Sequence, residues 1–147
     1  MTTAIRIRPM RPTDAARAAD LATQLGYPSS PDDLRHRVDE LAGNPRAVAL
    51  VAVNDADEPI GWIQVDRTPS LAVSDTAHIG GLVVDGAHRS EGIGQALLEA
   101  GEAWAREHGA RTMTVASRIV REGAHRFYRR EGYEQLKTSH IFAKPLV

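Results

Sequence analysis

The sequence predicts a mixed α/β fold, a sheet flanked by helices, and three observations carry that reading. Apolar or alternating runs of strand length recur along the chain, and capped segments with helical spacing separate them. The chain has 147 residues with neither an internal repeat nor a linker-like stretch, which suits a single domain spanning residues 1–147. Hydrophobic residues at 42% and charged residues at 25% are the proportions of a folded domain rather than a disordered chain.

Ile5 and Ile7 alternate with Arg6 and Arg8 before Pro9, predicting a short first strand whose arginines face water. Thr13 and Asp14 offer N-cap oxygens to a helix with Ala15, Ala18, Leu21, Ala22 and Leu25 on one stripe, closed by Gly26. Ser30-Pro31-Asp32-Asp33 supplies a cap, a first-turn proline and two acids for a second helix, whose apolar stripe is Leu34, Val38 and Leu41 before Gly43. An apolar run from Ala47 to Val53, the turn residues Asn54-Asp55-Ala56-Asp57 and a second run from Ile60 to Val65 predict an antiparallel pair.

The next run, His78 to Val84, holds Gly80-Gly81 in its interior, where glycine weakens a strand and marks a bulge or the close approach of another backbone. A long helix follows from about Gly92 to His108, apolar at Ile93, Leu97, Gly101 and Trp104 and polar at Gln95, Glu99, Glu102 and Arg106. Met113 and Val115 mark a fifth strand. Glu122 to Arg130 reads as a short helix with Ala124, Phe127 and Tyr128 on one stripe, ended by Gly132. Tyr133 to Ala143 reads as one or two further strands, broken near Leu136 to Ser139.

Lys plus Arg total 18 against 19 for Asp plus Glu, a net charge of −1, so no basic excess awaits a nucleic-acid backbone. No apolar run is long enough to cross a bilayer, and a cytoplasmic protein without membrane attachment is expected. The absence of cysteine removes disulfides, thiolate metal sites and a cysteine nucleophile. His36, His88, His108, His125 and His140 lack metal-ligand spacing, and no metal is expected.

Arg89-Ser90-Glu91-Gly92-Ile93-Gly94 lies between an apolar strand and an amphipathic helix, where glycines let several backbone N–H groups approach an anion at the helix start. A glycine pair alone is also what a tight strand-to-helix turn uses. A dinucleotide fingerprint needs a small residue where Leu97 stands and an acid where Ala116 and Ser117 stand, and a P-loop needs a lysine, of which none precedes Lys137.

What remains resembles the acetyl-CoA signature of the GNAT superfamily of N-acetyltransferases, Gln/Arg-x-x-Gly-x-Gly/Ala, matched by Arg89 to Gly94 at every defined position. His78 to Asp85 is similar to the family's fourth strand, Gln95 to Leu98 to its following helix, and Ala124 to Tyr133 to its last helix and the turn after it. The resemblance implies a mostly antiparallel GNAT-type sheet whose fourth and fifth strands splay apart at a bulge, with acetyl-CoA as cosubstrate. It sets pantetheine along Leu82, Val83 and Val84 and the pyrophosphate on the loop Arg89, Ser90, Glu91, Gly92, Ile93, Gly94 and Gln95.

The activity so implied is transfer of an acetyl group to a primary amine by direct attack in a ternary complex. Such attack needs a proton acceptor, an oxyanion donor and a proton donor for the leaving thiolate. By resemblance these are His78, where relatives carry a glutamate base, the N–H of Leu82, and Tyr128. Taken alone, His78 reads equally well as a strand-end histidine bonded to a neighbour, and Tyr128 beside Phe127 as core packing. Arg121 stands where many relatives have an asparagine, with Ser117 and Arg126 as candidate substitutes.

Leu25-Gly26-Tyr27-Pro28 and Ser139-His140-Ile141-Phe142 resemble members acting on small amines, aminoglycoside modifiers among them, so a small-molecule acceptor is expected. A protein N-acetyltransferase and a non-catalytic acyl-CoA sensor are the alternatives. Asp32, Asp33, Asp39, Glu40 and Asp66 are acids that would suit a polycation and equally suit exposed helices and turns. Dimerisation is common in the family, though no sequence feature fixes a homodimer interface.

Overall fold

The computed structural model describes residues 5–118 and 120–147. They fall into two compact units, one up to Ala116 and one from Ser117 onward, each taken by itself. The first comprises β1 (Arg6–Pro9), α1 (Ala15–Leu25), α2 (Pro31–Ala42), β2 (Ala47–Val53), β3 (Pro59–Asp66), β4 (Thr76–Val84), α3 (Ile93–Glu107) and β5 (Thr112–Val115). The strands form one sheet in the order β1-β2-β3-β4-β5, antiparallel from β1 to β4 and parallel between β4 and β5. This is the mixed, mostly antiparallel α/β sheet that the sequence predicts.

Side chains alternate across β3, and the alternation sorts the helices into two layers. Ile63 and Val65 are buried against α3, where a Cβ on Gly101 would come within 3.0 Å of either side chain. Trp62 points to the other face, its indole N–H donating to the Ala18 carbonyl of α1 at 3.2 Å. That face is packed by Ala15, Ala18, Ala19 and Leu34, with Met10 and Trp62 at its margin. α2 starts as its sequence predicts: Ser30 Oγ accepts from the Asp33 N–H at 3.1 Å, and the Asp33 carboxylate accepts from the Ser30 N–H at 3.3 Å.

Three expectations are corrected. Arg8 does not face water; its side chain is 12% exposed, forked onto Asp14 at 2.8 and 2.9 Å and bonded to Asp57 at 3.0 Å. The hairpin turn after β2 delivers Asp57, and two carboxylates offset the loss of hydration. Asp14 holds the N-cap position of α1, yet neither it nor Thr13 supplies a side-chain cap, because a 3₁₀ turn, Pro12–Asp14, precedes the helix and the Asp14 carboxylate is spent on Arg8 and on the Arg11 N–H at 2.7 Å. Finally, residues 133–147 form no strand. A strand exists only through a partner's ladder. Among the described residues this segment has none, and Leu136, Ile141, Phe142 and Leu146 stand at least 79% exposed.

The second unit contains α4 (Glu122–Arg130). His125 Nε2 lies 2.8 Å from the Arg118 carbonyl, and the Tyr133 N–H donates to the Tyr128 carbonyl at 2.9 Å where Gly132, at φ 94°, turns the chain. Ala124, Phe127 and Tyr128 share the half-buried stripe, while Arg118, Arg121, Arg129 and Arg130 are exposed.

Candidate functional site

β4 runs beside β5 only from Thr76 to Ile79, paired with Thr112 to Val115. From Gly80 to Val84 no strand among the described residues pairs on that side, while pairing with β3 continues on the other. The divergence coincides with a bulge: Gln64 pairs with Gly81 and Val65 with Ile79, so Gly80 is the extra residue. The two glycines make room for their neighbours, Gly80 for the movable end of Gln64 and Gly81 for an indole ring that has little freedom to shift. A Cβ on Gly80 would lie 2.6 Å from Gln64 Oε1, and one on Gly81 2.8 Å from the Trp62 ring.

The groups facing the open edge follow from the ladder. The Asp85 N–H donates to the Ile60 carbonyl at 2.9 Å, marking a hydrogen-bonded pair, and such pairs alternate along an antiparallel ladder. Val83, opposite Trp62, is therefore bonded to β3, whereas Leu82 and Val84 direct their N–H and C=O groups to the side that β5 has left. The row of donors and acceptors is the kind an extended amide-bearing ligand adds to as an extra strand. Val83 contributes a buried side chain instead.

Beyond Val84 the chain makes a 3₁₀ turn, Gly86–His88, and reaches α3 through Ser90 at φ 67° and Gly92 at φ 80°. Gly92 holds the N-cap position without any side-chain cap. The first helical bond is that of the Ala96 N–H to the Gly92 carbonyl at 3.1 Å, which leaves the N–H groups of Ile93, Gly94 and Gln95 aimed out of the helix start. With the helix dipole behind them they suit a pyrophosphate. His88 Nδ1 lies 2.9 Å from the Glu91 carboxylate, and Arg89 is exposed.

His78 is exposed on the face that carries α1 and α2, level with Asp66 on β3 and Thr114 on β5. Its Nδ1 lies 3.2 Å from Thr114 Oγ1, and that hydroxyl donates its one hydrogen to the Ala77 carbonyl at 3.4 Å. The contact holds the ring through Nδ1, and where the hydroxyl hydrogen stays on the Ala77 carbonyl the Nε2 lone pair is left to accept a proton. Gln64 donates to Asp66 at 3.4 Å, so Gln64, Asp66, His78 and Thr114 make a polar row beside the bulge. Thr114 and Gln64 were not among the sequence candidates, although alternation along β3 and β5 puts both on the face of His78.

In the second unit the Tyr128 ring meets Phe127 and Tyr133 edge-on, at centroid distances of 5.3 and 5.7 Å. Burial pushes its phenol above the ordinary value, against the opposing charge of Arg121 at the head of α4. Ser117 Oγ is buried without a hydrogen-bond partner among the described residues. The strand, loop and polar row thus come together within the first unit, and Tyr128 belongs to the second.

Comparison with known proteins converges on one family. The sequence pattern of the Acetyltransferase (GNAT) family matches residues 15–133. An aminoglycoside N(6')-acetyltransferase type 1 from Stenotrophomonas maltophilia is 32% identical over 144 residues, 95% of this chain and 93% of that protein. One from Klebsiella aerogenes is 25% identical over 147 residues, covering 95% and 96%. Among solved structures, aminoglycoside 6'-N-acetyltransferase AAC(6')-Ih from Acinetobacter baumannii shares the fold with a TM-score of 0.84 at 18% identity, over 98% of this chain and 100% of that one. AAC(6')-Iy in complex with CoA gives 0.83 at 19%, over 96% and 95%. No helix among the described residues is long and apolar enough to cross a membrane. With the family pattern running over residues 15–133 and a 32% identical relative along nearly its whole length, the chain belongs to the GNAT family of acetyltransferases.

Proposed function

We propose that this protein, acting as a single domain, moves an acetyl group from acetyl-CoA to a primary amine of a small polycationic molecule, the amine attacking directly in a ternary complex. The observation that carries the reading is the edge of β4, Gly80 to Val84, unpaired among the described residues and running toward the start of α3, which has no side-chain cap. Acetyl-CoA supplies the activated acetyl group. The edge groups of Leu82 and Val84 hold the pantetheine amides, and the backbone from Arg89 to Gln95 holds the pyrophosphate.

The Leu82 N–H is positioned on that edge to receive negative charge developing on the thioester oxygen as the carbon–nitrogen bond forms. His78 Nε2 takes the proton that the attacking nitrogen loses, directly or through a water. Tyr128 gives its phenolic proton to the departing sulfur as the carbon–sulfur bond breaks; a phenol is protonated at neutral pH, and burial makes this one a weaker acid, so its contribution is modest. Asp66, beside His78, attracts an ammonium group. Aminoglycoside-type amines are the first acceptors to try, because the S. maltophilia relative carries that name over nearly its full length.

The test is a thiol-release assay with acetyl-CoA against aminoglycosides, simple diamines and peptides bearing a free N-terminus. Turnover with the small amines and none with the peptides supports the proposal. Turnover confined to the peptides would replace it with protein acetylation, and no turnover alongside tight CoA binding would favour a sensor.

A further inference from the structure

The segment Asp85 to Gly92 leaves the sheet, turns and enters α3, with Ser90, a non-glycine residue, in the left-handed region. Such a segment has other conformations open to it unless contacts select one. Its own bonds are short-range: His88 N–H to the Asp85 carbonyl, Ala87 N–H to the Asp85 carboxylate and His88 to Glu91.

Two side chains reach it from α1. Arg17 and Gln24 stand seven residues apart, two turns along one face of the helix. Arg17 donates Nε to the Pro59 carbonyl at 3.1 Å and bonds Asp85 Oδ2 through Nη2. Gln24 uses both ends of its amide, Nε2 donating to Asp85 Oδ1 at 3.2 Å and Oε1 accepting from the Gly86 N–H at 2.9 Å. Among the described residues these are the side-chain hydrogen bonds that reach Asp85–Gly92 from another element. Burial alone would raise the Asp85 carboxyl, but Gln24, the Ala87 N–H and Arg17 outweigh it and keep the group ionised.

We propose that Arg17 and Gln24 are positioning residues for cofactor binding: by fixing Asp85 and Gly86 they hold the loop from Arg89 to Gln95 in its anion-binding conformation before CoA arrives. The inference rests on the cofactor site assigned above. Gln24 touches no reacting atom, so its loss acts through the fraction of molecules whose loop is competent. If that fraction falls to about a tenth, the apparent Kd for CoA rises about tenfold while turnover at saturation is retained.

The experiment is calorimetric titration of CoA into the unaltered protein, Gln24→Met and the double variant Gln24→Glu with Asp85→Asn. Gln24 is exposed, and Met conserves its length while removing both hydrogen bonds, so the variant folds. The double variant reverses the donor and acceptor across the pair, keeps an oxygen on residue 85 for Arg17 and still accepts from Gly86, giving up the 3.4 Å bond from the Ala87 N–H. We expect Kd to rise about tenfold in Gln24→Met, to recover most of that in the double variant, and the acetyl-CoA KM to follow Kd with kcat within about twofold. Equal Kd values in the unaltered protein and Gln24→Met overturn the proposal, whatever happens to thermal stability. Failure of the unaltered protein to bind CoA overturns the cofactor assignment itself, which separates the two failures.

Discussion

Replacing Asp14 by alanine removes the carboxylate that joins β1 to the start of α1. Arg8 donates to it twice, at 2.8 and 2.9 Å, the Arg11 N–H donates at 2.7 Å, and the two side chains are only 12% and 6% exposed. Removing one member of a buried pair costs about 3–5 kcal/mol, because the partner's charge is left without compensation. Here Asp57 stays on Arg8 Nε at 3.0 Å and still supplies a counter-charge, which puts the loss near the lower end, about 3 kcal/mol. For a chain of this length that is a fall in Tm of roughly 6–12 °C.

The sign of the pH dependence follows from the same contacts. Desolvation would raise the Asp14 carboxyl, but Arg8 and the Arg11 N–H overcome it and leave the group below its ordinary value of 3.8. Its contribution is therefore full above that value and disappears as pH falls through the lower folded-state value. In urea unfolding followed by circular dichroism, the gap between the unaltered protein and Asp14→Ala is widest at pH 7 and closes as pH falls below the ordinary value of 3.8. Replacing the pair by Arg8→Met with Asp14→Leu recovers much of the loss, since apolar groups leave no charge behind. A loss at pH 7 below about 1 kcal/mol, or one unchanged in acid, would refute the reasoning.

Three other substitutions probe the site. Gly81→Ala brings a methyl carbon to 2.8 Å from the Trp62 ring and is expected to cost about 1–3 kcal/mol by chemical unfolding, with weaker CoA binding as the bulge shifts. Tyr128→Phe is expected to lower turnover about 100-fold while CoA affinity measured by calorimetry stays the same; unchanged turnover removes the tyrosine from the mechanism. His78→Ala should lower turnover by about 100-fold while CoA affinity measured by calorimetry stays the same, and unchanged turnover removes the histidine from the mechanism.

Local signals in the sequence predict the structure where local chemistry decides the outcome. The Ser30 cap, the β2–β3 hairpin and the bulge at Gly80 each follow from a few adjacent residues. Even there the reason for the second glycine lies elsewhere, in the Trp62 ring that occupies the space of its Cβ atom. Arg8 alternates like a solvent-facing residue, yet it is buried because Asp57 lies 49 positions away in sequence and next to it in space. The alternation in Tyr133 to Ala143 records a capacity for strand formation that no partner among the described residues satisfies. The clamp of Arg17 and Gln24 on Asp85 spans 68 and 61 positions, and no pattern in the sequence announces it.

The account stands on the open edge of β4 and the start of α3 forming an acetyl-CoA site, and thermal unfolding of the unaltered protein tests that before any acceptor is known. Acetyl-CoA or CoA at about 100 times its Kd should stabilise the protein by about 2.7 kcal/mol, a rise of roughly 5–10 °C, while NAD and ATP at the same concentration leave Tm in place. No shift with acetyl-CoA, together with no heat of binding by calorimetry, would contradict the account and leave Arg89 to Gly94 as a strand-to-helix turn.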